Sequence, residues 1–444
     1  MISRRLSRFL VESRWEDVPA AVRHAATRSI LNVVGTALGG SADAALRRSE
    51  TVLARFSGPP EATVVGRPGR VDCMTAAYLN ALAGNVFDFD DTHPGTIIHP
   101  SAPVAPALFA WAERQPITGA ELLHAFVLGT EVECRLGNAV SPWHYARGWH
   151  ITATCGVFGA AAAVARRLGL DEQRMLWALG NASAQSSGLV ETLGTMAKST
   201  GVGHAARGGI LAALLAEAGV EGPEAPIEGP RGFLRVMGSD ADAAGVAAGL
   251  GESWEIARNE CKPYPCGVVL NPVIDACLDL RAECPLAPDA IAAIVVSGHP
   301  LLRQRADRPG VTTGREAQVS AQHAVAVALI DGRAGVAEFT DRRVASDDVR
   351  RLGALVTVAE EADVPVEAAR LVITMRSGER IERFVPAARG SARRPLSDAE
   401  LEAKFRILAA HGCPGFDPEP LIAALWSLES APQAAAVIGL ARHG

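Results

Sequence analysis

The stretch from Asn80 to Glu113, NALAGNVFDFDDTHPGTIIHPSAPVAPALFAWAE, sets the strongest limit on how this chain can fold. Asp88, Asp90, Asp91, Thr92, His93 and His99 fall within twelve residues, and Ala-rich helical patterns flank them on both sides. Polar groups that dense, between helices of buried character, cost free energy unless they are solvated or used. The stretch therefore reads as one wall of an active site inside a helical body.

The helical pattern runs from Val18 to about Glu217. Helices are expected at Ala20–Leu38, Cys73–Phe87, Pro103–Arg114, Leu122–Val140, His150–Leu168, Glu172–Ser187 and Gly203–Ala218. Thr118 with Glu121 forms a capping box before Leu122. The helix from His150 is apolar almost all round, so it is expected at the centre. A short strand is expected at Glu61–Gly66. After about Lys262 the character changes: a strand at Ala290–Gly298, a helix at Arg315–Ile330, and a β-hairpin of Leu371–Met375 and Ile381–Val385 around Arg376-Ser-Gly-Glu379. A second capping box, Ser397 with Glu400, returns the chain to helix. A chain of 444 residues exceeds what one core usually fills. The expected fold is mainly α with an inserted α+β domain. Residues 1–264 and 391–444 form the helical domain, residues 265–390 form an α+β lid, and a substrate cleft lies between them.

The net charge of −6, with no basic stripe, gives no footprint for nucleic acid. The amino terminus is amphipathic and lacks the apolar core of a signal peptide. The longest uncharged run, Ile151 to Ala165, is too short for a bilayer, which takes ~20 residues. Eight scattered cysteines show no framework spacing. A cytoplasmic protein with reduced thiols, no membrane and no nucleic-acid partner is expected.

Five stretches carry candidate chemistry. In Asp88-Phe-Asp-Asp-Thr92-His93…His99, crowded carboxylates sit beside histidine, the commonest general acid or base; helix capping and loop hydrogen bonds are the plainer reading. No HExxH, His-x-His or EF-hand pattern supports a metal there. Arg147-Gly-Trp-His150 opens the most apolar helix, where free N–H groups favour anions; a ring satisfied by a backbone carbonyl is the alternative. Gly194-Thr-Met-Ala-Lys198-Ser-Thr-Gly-Val-Gly-His204 looks superficially like a P-loop and a dinucleotide loop. Thr192 stands where the first P-loop glycine should be, and no strand precedes the glycines, so neither applies. What is left is a lysine in a Gly-rich loop, suited to a carboxylate or simply solvated. Cys261-Lys262-Pro-Tyr-Pro-Cys266 fixes a lysine on a rigid segment, or is a plain connector. Ser320-Ala-Gln322-His323 puts one more histidine on a helix.

Together, DFDDTH…HPS (88–101), RGWHITATCGVFGAAAAVARRLGL (147–170), GTMAKSTGVGHAARGG (194–209), KPYPCG (262–267) and EAQVSAQHAVAVAL (316–329) resemble the MmgE/PrpD family. Its members include 2-methylcitrate dehydratases, cis-aconitate decarboxylases and an iminodisuccinate epimerase. The resemblance spans nearly the whole chain. It implies a homodimer, a fold like the one read above, and no metal, flavin or nucleotide cofactor. It also implies that Asp88, Thr92, His99, His150, Lys198 and Lys262 are the active-site residues. His323 stands at a substrate-facing position that is commonly tyrosine. On this reading Lys198 and Lys262 hold the carboxylates of a small di- or tricarboxylic acid from two sides of the cleft. His99 and His150 form the acid/base pair, Asp88 orients a histidine, and Thr92 binds substrate or water. Asp90, Asp91 and His93 are expected to shape the loop. Dehydration as in 2-methylcitrate dehydratase is the first expectation. Decarboxylation, epimerisation and a non-catalytic carboxylate binder are the alternatives.

Overall fold

The computed structural model describes residues 1–239, 241–284 and 286–444; Asp240 and Pro285, each inside an expected domain span, lie outside the described residues. The fold is mainly α with an α+β portion, as the sequence pattern requires.

The helix Ile151–Arg167 is the axis of the larger part, with an unbroken buried run from Ile151 to Ala165. Its neighbours approach so closely because the contact positions are small. A Cβ on Gly129, in the helix Gly119–Val140, would lie 2.7 Å from the Gly159 carbonyl oxygen. One on Gly209, in the helix Ala197–Glu217, would lie 2.3 Å from the Ala160 Cβ. The Ala- and Gly-rich composition is thus spent on backbone approach, which maximises packing per residue.

Both chain ends build this part. The core takes in Leu6 through Cys261 and then Leu396 through Ala441. The helix Asp398–Gly412, started by the expected Ser397–Glu400 capping box, lies against Ala20–Gly40. Buried between them, Lys404 Nζ donates to Asn32 Oδ1 at 2.7 Å, the Phe89 carbonyl at 2.6 Å and the Lys262 carbonyl at 2.9 Å. It also sits 3.9 Å from the Phe89 ring centroid. Burial pushes its pKa down to about 7. Three acceptors and a π face nevertheless match an ammonium rather than an amine, which has only two N–H donors.

A second core runs from Tyr264 to Val385. Its four-stranded sheet has the order Val356–Glu360, Ile291–Gly298, Ala369–Met375, Arg380–Val385, with only the first pair parallel. The hairpin pairs Leu371 with Arg383 and Ile373 with Ile381, and Gly378 (φ 89°) supplies the left-handed turn residue. Arg315 Nη2 reaches Asp43 at 2.5 Å, and Gln318 Nε2 donates to the Val86 carbonyl at 3.2 Å. These contacts lay the α+β portion against the end of the helix Cys73–Asn85.

Several boundaries differ from the sequence reading. The Gly203–Ala218 helix begins at Ala197, so Lys198 lies in its first turn and not in a loop. Glycine's low helix propensity is overridden by packing, since Gly203 seats against Tyr78. The single helix Arg315–Ile330 is two, Gly314–Ala317 and Ala321–Asp331, because Ser320 Oγ caps the second by accepting from the His323 N–H at 3.2 Å. The Glu61–Gly66 strand shrinks to Ala62–Thr63, paired with Arg70–Val71. All eight cysteines are free thiols. No helix among the described residues is long and apolar enough to cross a membrane.

Replacing Lys404 by Met strands two backbone carbonyls and Asn32 in the interior. Lys404→Met is expected to lower the unfolding free energy by about 3 kcal/mol, read from urea denaturation.

Candidate active site

A cavity of about 680 Å³ lies between the two cores, lined by Asp88, Thr92, His99, His150, Lys198 and Lys262 from the helical part and by residues 304–312 from the α+β portion. Six of the seven sequence-predicted residues therefore converge.

They converge through a short piece of backbone pairing. Asp91–Thr92 forms a two-residue antiparallel ladder with Glu260–Cys261, which carries Lys262 to the Asp88 turn. Asp88 itself has φ 51°, a left-handed conformation that aspartate tolerates better than most residues. Its Oδ1 lies 2.6 Å from Lys198 Nζ, 3.2 Å from Lys262 Nζ and 3.3 Å from His99 Nε2. Its carbonyl accepts a further bond from Lys262 Nζ at 3.1 Å. The lysines expected on two sides of the cleft thus meet on one carboxylate. Burial alone would raise the Asp88 pKa; Lys198, Lys262 and His99 outweigh it and hold the group well below the ordinary 3.8. Reciprocally, burial lowers the Lys198 pKa, but Asp88 and Asp90 more than reverse it. Each ammonium keeps donor capacity for a ligand, because neither spends all three N–H groups here.

His99 is fixed from behind. Its Nδ1 lies 3.0 Å from both Asp90 Oδ1 and the Asp91 carbonyl, and its backbone N–H donates to Thr152 Oγ1 at 3.1 Å. The Asp91 carbonyl accepts from Nδ1 and assigns it a proton, which leaves Nε2 facing Asp88 and the cavity. Asp90, expected to shape the loop, also sets a carboxylate against the His99 ring. Its other oxygen accepts from Asn85 Nδ2 at 2.8 Å. His93 does stay structural, buried between Thr96 and Glu255 at 3.0 Å each. Asp91 ties Ser101 to Asn259, and burial, partly offset by the Ser101 bond, raises its pKa to about 6.

His150 precedes the axial helix without capping it, so its ring is free for the cavity. Burial, then Lys198 and His99, press its pKa down to about 3, and it stays neutral at physiological pH. Thr92 Oγ1 is buried with no hydrogen-bond partner among the described residues, an unmet group that a ligand or water would satisfy.

His323 is the exception. It does not line the cavity: Nε2 donates to the Glu338 carbonyl at 2.9 Å, and the ring packs edge-on to Phe339 at 5.2 Å inside the second core. The ring expected to face substrate is instead held inside the α+β core by the Glu338 carbonyl and Phe339. Tyr145, Arg305 and Arg308 line the cavity instead, and the sequence reading passed over all three. The only signal was the run Arg303-Gln-Arg305-Ala-Asp-Arg308 between strand and helix, which holds three arginines against one aspartate.

One oxygen or nitrogen from each of Asp88, Asp90 and His99 lies within 4.8 Å of the others, near enough to share an ion. The donor set does not suit a divalent cation, because two ammonium groups already crowd the Asp88 oxygen. The arrangement suits acid–base work on an anion that can meet the ammonium groups.

A family model described as the MmgE/PrpD N-terminal domain matches residues 4–245, and one described as the MmgE/PrpD C-terminal domain matches residues 264–420. The cis-aconitate decarboxylase of Homo sapiens is 29% identical over 419 residues, covering 90% of this chain and 86% of that protein. Cis-aconitate decarboxylase-like protein oryM of Aspergillus oryzae is 28% identical, with 92% and 90% covered. The cis-aconitate decarboxylase of Aspergillus terreus is 26% identical, with 89% and 86% covered.

Asp88→Asn keeps a side chain that accepts the left-handed turn and removes only the charge. Two buried ammonium groups then lack a counter-ion, which is expected to cost about 3–5 kcal/mol at pH 7. Because the folded pKa is depressed, the wild-type advantage is present above pH 3.8 and is lost as pH falls through the lower folded value. Urea unfolding at pH 7 and pH 3 is expected to show the gap narrowing in acid.

Proposed function

The chain belongs to the MmgE/PrpD family and is a lyase, and from that premise we propose that it decarboxylates a small tricarboxylic acid of the cis-aconitate type without a metal or organic cofactor. The observation that carries the choice is the pairing of one well-oriented proton carrier, His99, with a second imidazole held neutral, His150. Decarboxylation with allylic shift needs one proton delivered. Carbon dioxide leaves the carboxylate borne on the CH₂ group, its bonding pair becomes the new alkene, and the old alkene carbon takes a proton. One trianion plus one proton gives one dianion plus carbon dioxide. Cis-aconitate decarboxylase is also the activity named for the similar human and Aspergillus terreus proteins.

In this reading His99 Nε2 delivers the proton. The Asp91 carbonyl holds the ring with Asp90 beside it, and Asp88 holds the Lys198 and Lys262 ammonium groups together. Those lysines and Thr92 Oγ1 bind substrate oxygen atoms. His150 contributes a hydrogen bond without adding charge. His323 supports the α+β core. Dehydration of a 2-methylcitrate-like acid, first in the sequence reading, is second here. What favours it is the same neutral His150, which is able to accept an α-proton while His99 protonates the departing hydroxide. The homodimer expected from the sequence remains part of the proposal.

Incubation with cis-aconitate in deuterium oxide is expected to release carbon dioxide and yield a methylene dicarboxylate carrying one deuterium on its CH₂ group. Turnover of 2-methylcitrate but not cis-aconitate would move the assignment to dehydration. His150→Gln is expected to lower kcat while leaving the acid limb of the kcat/KM profile superimposable on wild type, since His150 titrates only near pH 3. An acid limb that moves with the substitution would make His150 the titrating group.

A further inference from the structure

Two of the cationic positions on the cavity wall are buried or half-buried and differ in how they are balanced; the third, Arg308, is solvent-exposed. At one, Lys198 and Lys262 share Asp88. At the other, Arg305 enters from the α+β portion, on the short helix Pro300–Ala306. Several other arginines of the α+β portion are paired with carboxylates. Arg303 lies 3.7 Å from Glu360, Arg315 reaches Asp43, and Arg343 holds Asp331 and Asp348. Arg305 has no carboxylate within ion-pair distance among the described residues, although it is half-buried, and burial lowers its pKa. What it has is the Tyr145 ring, 4.7 Å from its guanidinium carbon to the centroid. Stacking on a ring face holds a guanidinium without consuming its N–H fork, which stays free for an oxyanion.

Tyr145 is itself well anchored. The adjacent His144 donates from Nδ1 to the Met237 carbonyl at 2.7 Å and accepts at Nε2 from Thr154 Oγ1 at 2.7 Å. Two acidic groups on the same stretch of the cavity wall, Asp307 and Glu316, are engaged elsewhere. Asp307 accepts from Gln322 Nε2 at 2.7 Å, and Glu316 caps its own helix through Thr312 and Thr313. A half-buried cation seated on a ring face, with no carboxylate partner among the described residues and a cavity in front of it, has the geometry of an anion subsite.

We infer that Arg305, seated on Tyr145, is a second carboxylate subsite, separate from the lysine pair, which receives one terminal carboxylate of a polycarboxylate substrate and so selects three carboxylates over two. The inference rests on the reading of the substrate as a small polycarboxylic acid and names the residue that counts its charges. Because Arg305 and Tyr145 come from different cores, an anion bound there also joins the two parts across the cavity.

Calorimetric binding of two unreactive probes tests it: tricarballylate, and methylsuccinate, which lacks one terminal carboxylate. Wild type is expected to prefer tricarballylate by about 10- to 100-fold, as for a charge-assisted bidentate contact. Arg305→Met should bind both probes with nearly equal affinity, its methylsuccinate affinity remaining that of wild type. Arg305→Lys retains charge and should keep only part of the preference. Tyr145→Phe keeps the ring face and should keep most of it. Preference unchanged in both Arg305 variants would overturn the subsite while leaving the substrate reading in place. Wild-type binding of neither probe, or of both equally, would overturn the substrate reading and the subsite together.

Discussion

Two ammonium groups buried on a single carboxylate form the contact on which this structure turns. Burial works against the charge on Lys198 and on Asp88 alike, and each is held ionised by the opposite charge beside it. The contact is therefore reciprocal: the Asp88 carboxylate and the Lys198 ammonium each sustain the other's charge, and Lys262 adds a second ammonium to the same oxygen. Its members come from three distant places, the turn after one helix, the first turn of another, and a ladder strand near residue 260. Assembly of the fold and assembly of the charge cluster are one event. The helices supply close approach through glycine and alanine, and the cluster supplies a reason for the approach to end where it does.

The surroundings sort the remaining titratable groups by environment. The Asp91 carbonyl behind His99, with Asp90 beside it, fixes its ring, and a neighbouring ammonium with full burial keeps His150 neutral. Two imidazoles in one cavity thereby acquire different chemical characters without any difference in residue type. That divergence of environment is how a site obtains distinct proton carriers from a short list of side chains.

Much of this was legible in the chain. Helix periodicity and capping signals placed the axial helix, both capping boxes and the β-hairpin, since each depends on residues near in sequence. The polar run 88–99 marked the site because its density made no sense in a core. What local reading missed depended on tertiary contacts. A glycine-rich segment read as a loop is helical because Gly203 packs on Tyr78. His323 faces inward because the Glu338 carbonyl and Phe339 hold its ring. The closeness of Asp90 to His99 was hidden because the chain turns left-handed at Asp88 before it. Arg305 and Tyr145 were invisible because their meeting joins two cores across 160 residues of sequence.

Lys404 carries a consequence for the birth of the protein rather than its action. The ammonium that ties Asn32 to the carbonyls of Phe89 and Lys262 is made 372 residues after its first partner. At ribosomal speeds of ~5–20 residues per second, the Ala20–Gly40 helix waits roughly 20–70 s for the helix that covers it. During that interval a nearly finished bundle has an open apolar seam and a charge cluster with a missing clasp. Such a nascent chain is an expected client for chaperones. A message truncated just before residue 398 would yield a protein with every cavity-lining residue present and no closed site to hold them.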